Sequence, residues 1–425
     1  MPDRKKGVLI KPVQQLYIPP IEIYFLTNGI KVYEINLGSQ DIIKMEIIHE
    51  AGRSTEHQKL ISKATASLMR EGTDFKSSSE IADEIDYYGS SIKTASNMDF
   101  SYSTLYSLSK YAGKGIRLMH EIYTQPTFPE DEIEKFKKLN IQKLKEELGK
   151  NEVLSYRQIT DEIFGKDHAY GYNSTEESYK LITREEIIRH YTQRYGTNNC
   201  TIILSGKITD TIRKEVINLF GSFDKPITDP VYTPVTTSEV GRKVQIYSKN
   251  EHQNAIKTGF RLFDVNHTDQ SAFYLTNAIL GGYFGSRLMT SIREESGYTY
   301  DIYSTVDQML HDGCFYVSTE AAPEYTESIL KEVLHQMDVL KNEPVTSKEL
   351  NMVKNYLMGN FMNVLDGPVN VSSFVKSMLF LGREPTDFLS FSDEIMQITS
   401  DTIMHTAQEY FKEENMIEVI VASTE

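Results

Sequence analysis

The sequence predicts an α+β fold of two homologous domains, each a mostly antiparallel β-sheet packed against α-helices. Three observations carry this. The chain has 425 residues, more than one core organises, since single cores stop growing near about 250–300 residues. One order of strands and helices occurs twice along it. Between the copies lies "SFDKPITDPVYTPVTTSEVG" (222–241), with Pro226, Pro230 and Pro234 among Thr, Asp and Ser and no apolar periodicity. Such a stretch reads as a linker. The expected units are residues 1–221, the linker 222–241, and residues 242–425.

In the first unit an extended, Pro-bearing arm precedes "YFLTNGIKVYEIN" (24–36), a hairpin with Asn28-Gly29 at its turn. "DIIKMEIIHEAG" (41–52) is a third strand. "LISKATASLMREGT" (60–73) places Leu60, Ile61, Ala64, Leu68 and Met69 at helical spacing and closes on Gly72. "SSEIADEIDYYG" (78–89) is a second helix, with Ser78 as its expected N-cap. Residues 90–109 alternate as two strands joined by Asn97-Met98-Asp99, helices dominate 110–194, and "NCTIILSGKI" (199–208) is a last strand before one more helix.

The second unit repeats this order. A strand pair (243–262) leads to helices at 269–282 and 287–297, then to the strands "YTYDIYSTV" and "GCFYVSTEA". Long helices run from Glu324, and "IEVIVAS" (417–423) closes the unit. "IADEIDYYGSSIKTAS" and "LMTSIREESGYTYDIYS" both read helix, Gly, strand, with Gly89 and Gly297 at one station. "TFPEDEIEKFKKLNIQKL" and "PVTSKELNMVKNYLMGNF" both start a long helix. Two copies of one unit is the economical reading.

Composition narrows the function. The formal charge is −15, from 45 basic and 60 acidic residues, which argues against nucleic acid or an anionic membrane as partner. No run approaches the roughly 20 apolar residues of a membrane span. Two distant cysteines, Cys200 and Cys314, suit a reducing compartment. The N-terminal stretch lacks an apolar signal-peptide core, so the expected location is the cytoplasm; a leader ahead of residue 1 would make it periplasmic.

Residue chemistry alone offers few sites. "HEAGRSTEH" (49–57) contains His49, Glu50, Glu56 and His57. Their spacing is not the i, i+4 arrangement that puts two ligands on one helical face, so they read as solvated surface groups. "GGYFGS" (281–286) lacks the flanking strand and Lys of a phosphate loop.

Taken together, "LTNGIKVY", "EAGRSTE", "EGT…EIADEIDYYGSSIKTAS", "TFPEDEIEK", "FGKDHAYG", "LITREEIIRHYTQRYGTNNCTIILSGKI" and "GGYFGSRLMTSIREESGYTYDIYS" resemble, in order and spacing, the insulinase/pitrilysin (inverzincin) zinc metallopeptidases. In catalytic members the helix before the Gly-Thr signpost carries His-x-x-Glu-His, two zinc ligands and a general base. Counted from Gly72-Thr73, the resemblance places that motif on Lys63, Ala66 and Ser67. A third ligand, a Glu, falls near Leu144, where a slip of a residue or two in the count brings in Glu146 or Glu147. One carboxylate cannot hold catalytic zinc, which needs three protein ligands and an open position. The resemblance therefore implies a chain that binds no zinc and is inactive alone, with zinc in a partner subunit.

The same resemblance implies what the second unit does. The half of such peptidases that lacks zinc supplies an Arg and a Tyr, seven residues apart, to the zinc-bearing half. Here they fall on Arg293 and Tyr300, with Tyr298 the alternative hydroxyl. A Tyr hydroxyl donates to the oxyanion that develops on an attacked carbonyl, and an Arg fork holds substrate carbonyls. A glycine-rich segment that contacts peptide falls on Gly281 and Gly282, and His168 in "DHAYG" packs a loop. The expected function is a non-catalytic, substrate-binding subunit that forms a heterodimer with a zinc-bearing homologue acting on peptides. The rival readings are a structural subunit of a larger complex, and an independent metallopeptidase using displaced ligands such as His49 and His57.

Overall fold

The computed structural model describes residues 16–38, 40–227, 242–248 and 252–423. Most of the linker expected at 222–241, and most of the N-terminal arm, lie outside the described residues. The first half contains β1 (Glu22–Phe25), β2 (Lys31–Ile35), β3 (Ile42–His49), α1 (Ile61–Leu68), α2 (Ser78–Tyr87), β4 (Ser91–Ser96) and β5 (Ser101–Leu108). It continues with α3 (Ala112–Thr124), α4 (Glu130–Glu147), α5 (Asn151–Phe164), α6 (Glu176–Lys180), α7 (Arg184–Arg194), β6 (Cys200–Gly206) and α8 (Asp210–Gly221). The second half begins with β7 (Lys243–Ser248), β8 (Asn254–Leu262), α9 (Gln270–Gly281), a π-helix (Met289–Glu295), β9 (Thr299–Gln308) and β10 (Gly313–Ala321). It ends with α10 (Thr326–Asn342), α11 (Ser347–Val364), α12 (Pro368–Phe380), α13 (Asp387–Gln397), α14 (Ser400–Tyr410) and β11 (Ile417–Ser423).

Strand order exposes the duplication. The first sheet runs β1-β2-β6-β3-β5-β4 and the second β7-β11-β8-β10-β9. Apart from the extra edge strand β1, the two orders superpose station by station. In each sheet one pair is parallel, β2 with β6 and β7 with β11, and the rest are antiparallel. The α+β fold read from sequence is the observed one. The strand pair expected over 243–262 is not a pair: β11 lies between β7 and β8 and bonds to both. The N-cap of α2 is Ser77 rather than Ser78; its hydroxyl accepts from the Glu80 N–H while Glu80 accepts from the Ser77 N–H at 2.8 Å, a capping box. Gly89 (φ +58°) and Gly297 (φ +66°) occupy one station of the repeat, the turn from helix into strand, in a left-handed conformation that an L side chain adopts at a cost.

The halves exchange one helix each. α5 of the first half lies across β8 and β11, and α12 of the second lies across β6 and β2. Ile159, Ile163 and Phe164 of α5 thus share a core with Cys314, Tyr316 and Val419. Tyr33, Ile35 and Ile203, on the first sheet, belong to the core of Phe374 and Val375 of α12. Polar groups are exchanged as well. Glu46 on β3, fully buried, accepts from Lys44 (2.8 Å) on its own strand and from Lys376 (2.6 Å) and Ser372 (2.7 Å) of α12. At the matching station of β8, buried Lys257 donates to Ser318 (2.5 Å) and lies 3.6 Å from Glu152 of α5. Among the described residues no helix is long and apolar enough to cross a membrane.

Candidate functional site

Two local irregularities shape the second-half surface. Residues 289–295 wind as a π-helix, with Ser296 N–H donating to the Ser291 carbonyl five residues back at 3.1 Å. Buried Met289 and Ile292 fix its inner side. An extra residue per turn rotates the positions that follow, and such segments recur at functional sites. The second irregularity lies in β9. Thr299 pairs with Ala321 and Ile302 with Thr319, so three steps on β9 face two on β10. That bulge contains Tyr300 and Asp301. A bulge re-aims a side chain without ending the strand. The corresponding α2 and β4–β5 pair of the first half are regular.

Together these place Arg293 and Tyr300 on one face. The Arg293 guanidinium lies 5.5 Å from the Tyr300 ring centroid and 4.7 Å from that of Phe284. Cation–π contacts of this kind are worth about 0.5–1 kcal/mol when exposed, enough to bias the side chain's orientation. Tyr300 is 85% exposed and Phe284 63% exposed, so ring and hydroxyl are open to a ligand. Tyr298 is different: it stacks on Tyr325 at 4.8 Å and packs against the core. The loop is held by Arg287, which donates to both Glu349 oxygens at 2.8 and 2.9 Å. Phe284 carried no signal in sequence reasoning. It joins the site only through the packing of the loop on the π-helix.

Gly281 and Gly282 have packing reasons to be glycine. A Cβ on Gly281 would sit 2.5 Å from Ser304 Oγ and 2.6 Å from its backbone N, and one on Gly282 would sit 2.7 Å from the Ala278 Cα. Gly281→Ala is expected to cost about 1–3 kcal/mol by overpacking α9 against β9, read as a lower denaturation midpoint. Gly282 also ends α9, its N–H donating to the Asn277 and Ala278 carbonyls.

In the first half, α1 begins at Leu60, which has φ +73°. The Glu56 carboxylate accepts from the N–H groups of Leu60 (3.1 Å) and Ser62 (3.0 Å), and from the Tyr172 hydroxyl. Glu56 is thus a structural clasp on the helix start rather than a solvated surface group. Burial raises its carboxyl above the ordinary value despite these donors. Lys63 is exposed on α1 and donates to the Tyr179 hydroxyl at 2.8 Å, over a ring that itself meets Phe136 of α4. Ala66 is buried, Ser67 opens onto a groove between α1, β4 and α4, and Leu144 is the inward residue of its turn. Glu146 and Glu147 point outward to Gln142 and Lys143. An amine, a methyl, a hydroxyl and an isobutyl group do not fit a zinc ion. Among the described residues no group of three His, Cys, Asp or Glu side chains is placed to hold a metal.

His49 corrects another expectation. It is buried, 2.9 Å from the Tyr123 hydroxyl and stacked between Tyr123 and Tyr195, not solvated. Burial holds its imidazole down at about 3, and that of His190, 3.2 Å from the Ala51 carbonyl, likewise at about 3. The unfolded imidazole titrates near 6.5. As pH falls below that value the unfolded chain takes up protons that the folded chain refuses. Stability is therefore complete above about pH 6.5 and falls by about 1.4 kcal/mol per pH unit per histidine. Denaturation at pH 7, 6 and 5 is expected to show this slope, and His49→Gln to remove one share. His57 pairs with Glu186 at the surface, and the Asn199 side chain accepts from the Glu50 N–H and donates to the Glu50 carbonyl. His168, fully buried, packs its loop: Nδ1 accepts from Tyr170 N–H at 3.0 Å, and Nε2 lies 3.5 Å from Asp312 of the second half.

A duplicated sheet-and-helix unit, a first-half helix without His, Asp, Glu or Cys side chains and a second-half Arg–Tyr face make up a metallopeptidase-like fold. Residues 181–357 match the family model described as "Peptidase M16 inactive domain". Over that stretch the chain is similar to the M16 peptidase homologues, the insulinase/pitrilysin group that its motifs resemble. It is 22% identical over 410 residues to "Uncharacterized zinc protease YmxG" of Bacillus subtilis, covering 95% of this chain and 98% of that protein. It is 24% identical over 343 residues to "Non-peptidase homolog YmxG" of Helicobacter pylori, covering 77% of each. A crystal structure of a peptidase M16 inactive domain from Pseudomonas fluorescens superposes with a TM-score of 0.84 at 22% identity, over 95% of this chain and 98% of that one.

Proposed function

We propose that this chain is the non-catalytic, substrate-binding subunit of a heterodimeric peptidase. The observation that carries the reading is the exposed Arg293–Tyr300–Phe284 face, built by two backbone irregularities absent from the matching place in the first half. The exposed hydroxyl would donate to the oxyanion of a scissile carbonyl, and the guanidinium would hold a neighbouring backbone carbonyl. Zinc, its water and the general base would come from a homologous partner, since Lys63, Ala66, Ser67 and Leu144 stand at the positions of ligands and base. The substrate is a peptide or unfolded segment, which the open face accepts in extended form.

The experiment is reconstitution. This chain and a homologue with an intact His-x-x-Glu-His are each assayed alone and mixed, on a quenched fluorescent peptide. The reading requires cleavage only in the mixture. Cleavage by this chain alone, with stoichiometric metal, would establish the independent enzyme instead. Copurification with a larger assembly and no gain of cleavage would establish the structural subunit.

A further inference from the structure

We propose that the cavity between α9, β9, α11, α12 and α13 is a second peptide site, which takes an internal apolar residue and holds it by its backbone amide. The cavity encloses about 700 Å³, within the range of small-ligand sites. Its floor is aromatic and aliphatic, with Tyr274, Phe361, Phe374, Met378, Phe388 and Phe391. Its polar lining is almost wholly carboxamide and hydroxyl, including Gln308, Asn360, Asn363 and Asn370. Among the described residues no carboxylate, lysine or histidine lines it, and the one cation there, Arg383, donates to the Val265 carbonyl at 2.6 Å.

Two of these carboxamides are unfinished. Asn277 is 8% exposed; its Oδ1, buried in the wall, has no hydrogen-bond partner among the described residues, and a turn of the side chain would offer it to a ligand. Gln270, two turns earlier on α9, is 9% exposed; its Nε2 donates to Gln308 at 3.0 Å but its Oε1 has no partner among the described residues. Leaving such a group unpaired is destabilising, and an apolar residue in the same wall would avoid the cost. A carboxamide offers one donor side and one acceptor side, the complement of a peptide unit. A cationic ligand would lose its hydration here with no carboxylate to replace it, and an anion would meet only Arg383 at the lining. A neutral amide joined to an apolar side chain satisfies walls and floor together.

The choice of a peptide as ligand rests on the function proposed above; the site itself uses none of Arg293, Tyr300 or Phe284. The test needs only the full-length chain. N-acetyl-L-phenylalaninamide is titrated calorimetrically beside N-acetylglycinamide, which lacks the apolar side chain, and N-acetyl-L-phenylalanine, which carries a carboxylate. Saturable binding of the first, at least about tenfold tighter than either control, is expected, as sites built to pair a polar group reject ligands that lack it. Asn277→Leu should weaken it about tenfold or more. Ser377→Trp, from an exposed rim position, should block the cavity without disturbing the core, and covers the case in which Asn277→Leu fails to fold. Arg293→Ala should bind as the parent does. Absent saturation, equal binding by both variants, preference for the carboxylate, or loss on Arg293→Ala would each overturn the proposal. If the amide binds but no partner restores peptide cleavage, the cavity assignment stands and the heterodimer reading falls.

Discussion

Arg293→Ala and Tyr300→Phe, each introduced into the reconstituted heterodimer, are expected to lower kcat/KM for peptide cleavage by on the order of 10²-fold or more. The size follows from what each group would do. Removing one donor aimed at a developing oxyanion costs about 10²–10³-fold. Tyr300→Phe keeps the ring that stacks on Arg293 and removes only the hydroxyl, so its loss should appear in kcat. Arg293→Ala also frees Phe284 and Tyr300 to move, because the guanidinium lies over both rings, so KM should rise as well. Tyr298→Phe serves as the control: that ring stacks on Tyr325, and activity should be unchanged. If both Arg293→Ala and Tyr300→Phe leave kcat/KM intact, the face takes no part in catalysis.

Glu46→Ala is expected to cost about 3–5 kcal/mol of unfolding free energy, because it strands the buried Lys44 ammonium without its counter-charge. The cost should appear as a shift of the chemical denaturation midpoint. Replacing Glu46 and Lys44 together with Leu and Met should cost much less, since the penalty lies in the unpaired charge rather than in the lost pair. A loss below about 1 kcal/mol for Glu46→Ala would show that water or rearrangement rescues Lys44. The cluster also adds a pH dependence. Burial pushes the Glu46 carboxyl up, but Lys44 and Lys376 outweigh it and hold the group below the ordinary carboxylate value. Its contribution is therefore present above the unfolded value, near 4.3, and is lost as pH falls toward the folded one.

Much of this architecture could be read from residue order. The hairpin at Asn28-Gly29, the strand 42–49, the pair 91–108 and the Gly89/Gly297 station all stand where local periodicity and turn chemistry put them. Local patterns do not encode which strands become neighbours, so the passage of β11 between β7 and β8 was not legible. The π-helix and the β9 bulge escaped for a related reason. Each is one extra residue in an otherwise regular element, a phase shift too small to stand out in so short an apolar pattern. His49 was misread because a polar residue at a strand end looks solvated. The signal was present in "IIKMEIIH", which is buried along nearly its whole length, as a strand covered on both faces must be. In such a strand Lys44, Glu46 and His49 had to be interior groups with partners.

The exchange of α5 and α12 has a consequence for biosynthesis. As the chain leaves the ribosome, residues 22–206 can pair the whole first sheet, yet the helix that covers β2 and β6 is Pro368–Phe380, more than 150 residues later. Meanwhile α5, already made, has no second sheet to lie on. Apolar surface on both elements stays open through much of translation, the interval in which nascent chains are most exposed to aggregation. Neither half has a finished product of its own, and the folding unit is the entire polypeptide.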